Sequence, residues 1–243
     1  WEVAGSVGSA ATSFKDTTVK SGYYTYSVTA TLNKSESLMS AESKEVYLLL
    51  APKNIVVKNE IEGIKVSWDL SSSAVKYIVM RKDMKTGVAV SIGEPDVNYI
   101  VDKDAENLSA YTYSVTAVDK DGMKSKSSAY TLDFYRVSPP IVKSATPETK
   151  TVNIVWDKVS GVDAYIIYRK VDNGGWVKIG TTGADATNFK DTDVASGVQY
   201  KYTVTATKNN CESYLGDDNS KTATYVNMPS DLTASLTATG IKL

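Results

Sequence analysis

The 243-residue sequence predicts an all-β fold built from repeated two-sheet sandwiches. Three observations lead to this prediction. A motif returns about every 88 residues, apolar and polar residues alternate strictly around it, and we find no ten-residue stretch with convincing helical periodicity. The composition, 42% hydrophobic and 23% charged, is that of an ordinary globular protein.

The repeat is visible as the motif Tyr-x-Tyr-x-Val-Thr-Ala, which begins at Tyr24, Tyr111 and Tyr200. The offsets are 111 − 24 = 87 and 200 − 111 = 89. Trp68 returns as Trp156 at the same step, because 156 − 68 = 88. Independent landmarks at one spacing indicate a tandem array.

Prolines mark the predicted boundaries between repeats, at Pro52, Pro139-Pro140 and Pro229. We therefore predict complete units at 51–138 and 139–228. Trp1 aligns with Trp176, so residues 1–50 are expected to be the C-terminal part of a unit. Leu243 aligns with Ile154, so residues 229–243 are expected to be the N-terminal strands of a further unit. Because proline restricts the backbone, the linkers favour a semi-rigid rod.

Alternation with period two predicts the strands. It is clear at 64–68 (Ile-Lys-Val-Ser-Trp) and at 111–117 (Tyr-Thr-Tyr-Ser-Val-Thr-Ala), and it directs every second side chain into a core. Turn-forming pairs such as Asp121-Gly122 and Ser196-Gly197 separate the runs. About seven short strands in about 88 residues are typical of an immunoglobulin-like sandwich.

The order of these landmarks resembles the fibronectin type III module over the whole chain. A proline precedes apolar-x-apolar-x-Trp, followed by Tyr-x-apolar-x-Arg-Lys, Asp-Thr and the Tyr-x-Tyr motif. The resemblance implies that Trp68 and Trp156 fill the core, and that a tyrosine corner with its hydroxyl bonded to upstream backbone is formed by Tyr24, Tyr111 and Tyr200. Residues 158–170 resemble modules of secreted or surface proteins of Gram-positive bacteria, which implies an extracellular or cell-surface location. Without an Arg-Gly-Asp sequence, integrin adhesion is not implied.

Composition narrows the classes of function. The chain has no histidine, which removes histidine-dependent triads and metal centres, and we predict no cofactor and no metal site. A net charge of −1 argues against nucleic-acid partners. The longest apolar run, residues 46–51, is too short to insert across a membrane.

Carboxylates are the remaining candidates for chemistry. Possible acid/base groups are Asp102 with Asp104 and Glu106, or Asp191 with Asp193. Because Asp16, Asp102 and Asp191 recur at strand ends, we interpret them as turn-forming residues and predict that the chain is not an enzyme. The segments 119–122 (Asp-Lys-Asp-Gly) and 217–219 (Asp-Asp-Asn) could supply calcium ligands, but we predict a hairpin turn and a solvated loop.

Cys211 and the tyrosines outside the motif each allow a functional and a purely structural interpretation. Cys211 lies in a polar stretch and is predicted to be an ordinary exposed thiol, with an intermolecular disulfide as the alternative. Tyrosines outside the motif could form a sugar-stacking strip, although tyrosine is also a common strand residue; they include Tyr23, Tyr99, Tyr135 and Tyr214.

Residues 1–50 pose a physical problem, because their apolar side chains have no facing sheet in the predicted units. Leaving six such residues uncovered forfeits on the order of 10 kcal/mol; they are Phe14, Tyr24, Tyr26, Val28, Val46 and Leu48. We hypothesise that material outside these residues, or a neighbouring molecule lending its half head to tail, completes the half-units.

The function predicted from the sequence is a non-catalytic structural spacer or protein-interaction module in a secreted or cell-surface protein. Its partners would be other protein domains or copies of itself. The alternatives are a carbohydrate-binding accessory module, with polysaccharide as partner, and the subunit of an extracellular filament built by head-to-tail completion of the half-units.

Overall fold

The computed structural model describes residues 1–230 and 232–242, so Leu243, which the repeat aligns with Ile154, lies outside the described residues. The described chain forms strands and one short 3-10 turn, without an α-helix. This confirms the predicted all-β sandwich fold.

Residues 1–50 contain four short strands in two pairs. These are β1 (Gly22–Tyr24), β2 (Thr31–Leu32), β3 (Ser35–Glu36) and β4 (Val46–Leu48). β1 pairs antiparallel with β4, and β2 pairs with β3 as a small hairpin. Most side chains of this region are exposed.

Residues 51–138 contain seven strands in two sheets. They are β5 (Val56–Asn59), β6 (Ile64–Ser67), β7 (Ala74–Asp83), β8 (Ala89–Gly93), β9 (Tyr99–Asp102), β10 (Ala110–Asp119) and β11 (Phe134–Tyr135). One sheet has the order β5-β6-β9 and the other has the order β11-β10-β7-β8. The two orders correspond to the two layers of a sandwich with antiparallel sheets.

Residues 139–228 repeat this arrangement. We call residues 51–138 and 139–228, with the boundaries predicted from the sequence, the first and second complete repeats. The strands of the second complete repeat are β12 (Val142–Glu148), β13 (Thr151–Trp156), β14 (Ala164–Val171), β15 (Val177–Gly183), β16 (Asn188–Asp191), β17 (Gln199–Lys208), β18 (Cys211–Glu212) and β19 (Lys221–Thr224). A 3-10 turn at Asp217–Asn219 precedes β19. The sheets have the orders β12-β13-β16 and β15-β14-β17-β18, with β19 also paired to β17.

A terminal hairpin follows the second complete repeat. Its strands, β20 (Ser235–Thr237) and β21 (Gly240–Lys242), are antiparallel, and their side chains are exposed. The hairpin lies in the segment that the sequence assigns to the first strands of a further unit.

The contacts divide the chain into two compact units that do not follow the repeat boundaries. The first comprises residues 1–57, 65–102 and 111–133, and the second comprises residues 58–64, 103–110 and 134–243. The repeat boundaries predicted from the prolines therefore stay predictions.

The core of the second compact unit is built from alternate residues of its strands. In β13 the side chains of Val152, Ile154 and Trp156 are buried, while those between them are partly exposed. Trp156 packs against Tyr165 of β14, with 5.5 Å between ring centroids. Each fully buried side chain of this size contributes about 1.5–3 kcal/mol.

The first compact unit has the same interior. Trp68 packs edge-on against Tyr77 of β7, with ring centroids 5.1 Å apart, and both rings are buried. Val79 and Val115 lie directly opposite each other in β7 and β10 and are also buried. The two tryptophans that the resemblance assigns to the core thus lie inside.

Candidate functional site: the open half-sandwich of residues 14–48

Each complete repeat contains a buried cluster of an arginine, an aspartate and a tyrosine. In the first compact unit, Arg81 Nη1 donates to Asp102 Oδ1 at 2.9 Å and to Oδ2 at 3.1 Å. The Tyr113 hydroxyl donates to Asp102 Oδ2 at 2.8 Å. The carboxylate of Asp102 is thereby neutralised and hydrogen-bonded inside the protein, as a buried charge requires.

The same cluster returns one repeat later. Arg169 Nη1 donates to Asp191 Oδ2 at 2.9 Å, and the Tyr202 hydroxyl donates to the same oxygen at 2.9 Å. Arg169 also bonds Asp193, with 3.0 Å between Nη2 and Oδ2. Burial, followed by the neighbouring Asp191 carboxylate, raises the pKa of Tyr202.

Each arginine also covers the first tyrosine of the repeat motif. The guanidinium carbon of Arg81 lies 4.9 Å from the centroid of the Tyr111 ring, and that of Arg169 lies 5.2 Å from the centroid of the Tyr200 ring. This is the geometry of a cation–π contact, and it fixes the arginine over the sheet.

Residues 1–50 hold the aspartate and the tyrosine of this cluster without the arginine. The Tyr26 hydroxyl donates to Asp16 Oδ2 at 3.2 Å, as Tyr113 and Tyr202 do in the complete repeats. Asp16 Oδ1 accepts the backbone N–H and the hydroxyl of Thr18 at 2.9 and 2.8 Å. These Thr18 hydrogen bonds lower the pKa of Asp16. Within residues 1–230 and 232–242, no Lys or Arg forms an ion pair with Asp16.

The turn before the motif is built in residues 1–50 as it is later in the chain. The Tyr24 hydroxyl donates to the carbonyl of Lys20 and accepts from its N–H, both at 3.0 Å. The Tyr200 hydroxyl accepts from the N–H of Ala195 at 2.8 Å. The hydroxyls of Tyr24 and Tyr200 thus bond upstream backbone. Tyr111, the third residue of this kind, is buried with Arg81 over its ring.

One edge of the motif strand is closed by serines spaced three residues apart. The N–H groups of Ser37, Ser40 and Ser43 donate to the carbonyls of Ala30, Val28 and Tyr26. Each serine hydroxyl accepts the N–H of the same partner, at 2.9 to 3.1 Å. This serine ladder gives the strand two bonds at each rung in place of an ordinary neighbouring strand.

The serine ladder recurs in the first complete repeat. Here the acceptors are the side-chain oxygens of Thr131, Ser128 and Ser125, which lie 88 residues after Ser43, Ser40 and Ser37. They accept the N–H groups of Tyr113, Val115 and Ala117, respectively. The local sequence therefore produces the same edge in both places, whether or not a core lies behind it.

The opposite edge and one face of the motif strand are uncovered in residues 1–50. Val28 is 72% exposed, whereas its counterparts Val115 and Val204 are 0% exposed. Phe14 and Val46 are also exposed. In the complete repeats, β7 and β14 pair with this edge, and no described strand does so for residues 25–30. We call residues 14–48 the open half-sandwich.

The open half-sandwich contacts the turn at residues 119–122, which belongs to the same compact unit. A hydrogen bond to Asp119, followed by burial, raises the pKa of Tyr47 to about 12. Tyr47 also contacts Tyr23, with 4.6 Å between ring centroids. Asp119 Oδ1 accepts from the N–H groups of Asp121 and Met123, so this segment is a turn, as the sequence predicts.

In the other acidic segment, residues 217–219, the carboxylate of Asp217 is paired with two lysine side chains of the same chain. Asp217 bonds Lys170 Nζ at 2.7 Å and Lys201 Nζ at 3.2 Å, which lowers the pKa of Asp217. In the described part of the chain, no cluster of three or more metal-ligating side chains is present.

The prediction for Cys211 is wrong, because its thiol is buried with 8% of the residue exposed. Cys211 begins the short strand β18, and its Sγ accepts the N–H of Tyr135 at 3.3 Å. Asn59 joins the same place by donating to the carbonyls of Tyr135 and Glu212 at 3.0 and 2.9 Å. This polar network in the second compact unit encloses the sulfur.

The tyrosines considered for sugar stacking are engaged locally. Tyr23 contacts Tyr47, the ammonium group of Lys65 lies 4.8 Å from the centroid of the Tyr99 ring, and the Tyr214 hydroxyl donates to Asp218. Tyr135 is half-buried next to the Cys211 thiol.

Comparisons with known proteins give limited relationships. No family model matches the chain. A Kelch domain-containing protein of Sulfurisphaera tokodaii is 28% identical over 174 residues, which cover 71% of this chain and 21% of that protein. The chain thus spans about a fifth of the length of this curated relative.

Solved structures similar to the chain include three chicken proteins. The FN1–FN3 domains of chicken CNTN1 are 14% identical, with a TM-score of 0.37, covering 84% of this chain and 76% of that one. A two-domain fibronectin type III segment of chicken tenascin is 19% identical, with a TM-score of 0.31, covering 71% and 98%. The chicken interferon gamma receptor alpha chain is 14% identical, with a TM-score of 0.40, covering 73% and 98%.

No helix among the described residues has the length and apolar character of a membrane span. The strand orders, the antiparallel pairing and the tryptophan-centred interiors define the fold. The chain is all-β, with its sheets arranged as in fibronectin type III and immunoglobulin-like sandwiches.

Proposed function

We propose that this chain is a non-catalytic structural spacer or protein-interaction module in a secreted or cell-surface multidomain protein. The observation that carries the proposal is the recurrence of one buried Arg–Asp–Tyr cluster beneath one tryptophan–tyrosine interior in both complete repeats. A unit that brings its own core and its own neutralised charges can be added in tandem to set a length.

The ion pairs formed by three of the candidate acid/base groups, Asp102, Asp191 and Asp193, support a non-catalytic role. Asp102 and Asp191 are held by Arg81 and Arg169, and both carboxylates are almost fully buried. Asp193 is bound to Arg169 as well. A carboxylate engaged by a guanidinium and a tyrosine stabilises the fold and is poorly placed to exchange a proton with a substrate.

We include in this proposal an extracellular or cell-surface location, because residues 158–170 resemble modules of secreted or surface proteins of Gram-positive bacteria. The likeness to fibronectin type III sandwiches supports a role in protein–protein contacts.

Single-molecule stretching of the 243-residue chain tests the spacer role. We expect two resolved unfolding events, each releasing roughly 300 Å of contour length, the extended length of one repeat of about 88 residues. Extension at low force without resolved events, as for a flexible chain, would overturn the proposal.

A further inference from the structure

The segment that joins the two complete repeats is covered along its whole length. Every residue from 134 to 140 is buried or half-buried, and Arg136 and Val137 are only 5% and 0% exposed. All of these residues belong to the second compact unit. Removing a guanidinium from water is costly unless its donors find acceptors. The groups that accept from Arg136 therefore help to hold the segment in place.

Backbone carbonyls of the turn after β5 accept from this guanidinium. Arg136 Nη1 donates to the carbonyl of Glu60 and Nη2 donates to that of Ile61, both at 2.8 Å. The backbone of Arg136 is fixed as well. Its N–H donates to the carbonyl of Ser109 at 3.0 Å, and its carbonyl accepts the N–H of Leu108 at 2.7 Å. The joining segment is thus tied to two loops of the first complete repeat, and both loops lie in the second compact unit.

Asn59, at the end of β5, extends these ties to the second complete repeat. Its side chain is buried, and its Oδ1 accepts the N–H of Val137 at 3.1 Å. Its Nδ2 donates to the carbonyl of Tyr135 at 3.0 Å and to that of Glu212, in β18, at 2.9 Å. Both ends of one buried amide are therefore used, and they connect the joining segment to the β17–β18 hairpin.

A contact between the same kinds of elements is present one repeat earlier. Tyr47 in β4 lies 88 residues before Tyr135 in β11, because 135 − 47 = 88. The Tyr47 hydroxyl donates to Asp119, the last residue of the motif strand β10. The Tyr135 N–H donates to the Sγ of Cys211, which follows the motif strand β17. The last strand of one repeat thus contacts the turn after the motif strand of the next, and the second junction adds the bonds of Asn59.

We propose that Asn59 and Arg136 form a lock that holds residues 134–138 against the β17–β18 hairpin, so that this junction opens only as a rare local event. The inference rests on the proposed spacer function and deepens it, because a spacer with a freely hinged junction does not hold a fixed distance. The lock covers the thiol of Cys211, which is the single cysteine of the sequence. Reactivity of this thiol therefore reports opening of the junction.

The test measures the rate at which a maleimide reagent reacts with Cys211 in the folded 243-residue chain. A buried thiol reacts only after local opening, so the rate follows the population of the open form. We expect a rate lower by about 100-fold or more than that of the same chain unfolded in urea. Asn59→Ala and Arg136→Gln should each raise the rate in the folded chain about tenfold or more, because each removes hydrogen bonds from buried groups.

Three comparisons separate the lock from general stability. Asn98→Ala is the matched control and should leave the rate unchanged, because Asn98 donates to the carbonyl of Trp68 in the first compact unit, at 2.8 Å. Amide exchange at Val204, inside the second complete repeat, should not change with Asn59→Ala. The double variant should react little faster than the faster single variant, since Arg136 Nη1 and Asn59 Oδ1 are bonded at 3.3 Å within one network.

A thiol that reacts as fast in the folded chain as in urea would overturn the inference, and so would an unchanged rate in both single variants. Equal acceleration of the thiol reaction and of exchange at Val204 would also overturn it, because the two residues would then stabilise the whole repeat. If the lock fails these tests while stretching still gives two unfolding events, the spacer role stands and only this inference falls.

Discussion

Residues 14–48 and residues 189–224 share the Phe-Lys-Asp-Thr and Tyr-x-Tyr-x-Val-Thr-Ala motifs and have different surroundings. Both hold the tyrosine-to-aspartate bond and the tyrosine bonded to upstream backbone. Among the residues that the structure describes, only the later region has a facing sheet and an arginine on its aspartate. The comparison shows that short-range contacts are encoded in the strand itself, whereas burial and charge neutralisation require strands from earlier in a repeat.

The largest difference is expected from the tryptophans. Trp156→Ala should lower the free energy of unfolding of the second compact unit by about 3–5 kcal/mol, because it empties the centre of the core. Trp1→Ala is the matched control, since Trp1 is 70% exposed, and should change it by less than about 0.5 kcal/mol. Denaturant unfolding followed by circular dichroism measures both, and equal effects would contradict the comparison.

Replacing Asp191 should likewise lower the free energy of unfolding more than replacing Asp16. Asp191→Asn leaves Arg169 without its buried partner and should cost about 3 kcal/mol of unfolding free energy. Asp16→Asn removes a carboxylate that has no arginine and should cost about 0.5 kcal/mol. Chemical denaturation of the two variants provides the values. A cost for Asp16→Asn as large as that for Asp191→Asn would indicate that the first region is covered in solution.

Gly180 provides a steric test within the complete repeat. A Cβ built on Gly180 would lie 2.5 Å from the Phe189 ring, so Gly180→Ala should lower the free energy of unfolding by about 1–3 kcal/mol. Gly183→Ala is the control in the same strand, because nothing lies within 4 Å of its Cβ position. Thermal unfolding of the pair checks the prediction, which fails if both variants melt together.

Alkaline pH should destabilise the complete repeats through their buried tyrosines. Burial and the neighbouring aspartate raise the pKa values of Tyr113 and Tyr202. The folded state then keeps protons that the unfolded state releases, so the added stability is complete below about pH 10 and is lost as the pH rises further. Stability measured from pH 8 to 12 should fall above pH 10.

Tyr202→Phe is the control for that pH dependence. Removing the hydroxyl should cost about 1 kcal/mol at neutral pH through the lost bond to Asp191 and should flatten the alkaline slope. An unchanged slope would show that other groups cause it.

The smallest effects are expected from the serine ladder. Ser128→Ala removes an oxygen that accepts the Val115 N–H inside a complete sandwich and should cost about 1 kcal/mol. Ser40→Ala removes the equivalent oxygen at Val28, where water can replace it, and should cost a few tenths of a kcal/mol at most. Thermal melting of the two variants compares them, and a larger effect at Ser40 would contradict the account.

Much of the fold could be predicted from the sequence because it depends on alternation within single strands. Tyr111, Tyr113 and Val115 recur with their neighbours, so their strand is visible without any partner. The Arg81–Asp102 pair was missed, because two residues on different strands share no local pattern. A signal existed, since Arg81 and Asp102 both return about 88 residues later, as Arg169 and Asp191.

Other misses have the same physical origin. The burial of Cys211 arises from Asn59 and Tyr135, which are 152 and 76 residues away along the chain (211 − 59 and 211 − 135). The serine ladder has a spacing of three residues, which matches neither helix nor strand periodicity. For Cys211, the polar residues on either side predicted an exposed thiol, whereas the distant residues Asn59 and Tyr135 cover it.

Amide hydrogen exchange at Val28, Val115 and Val204 compares the motif strand with and without a facing sheet, because these residues occupy one position in three copies of the motif. We expect strong protection at Val115 and Val204, and exchange at Val28 faster by several orders of magnitude, since each factor of ten corresponds to about 1.4 kcal/mol of opening free energy. Equal protection at all three amides would contradict it.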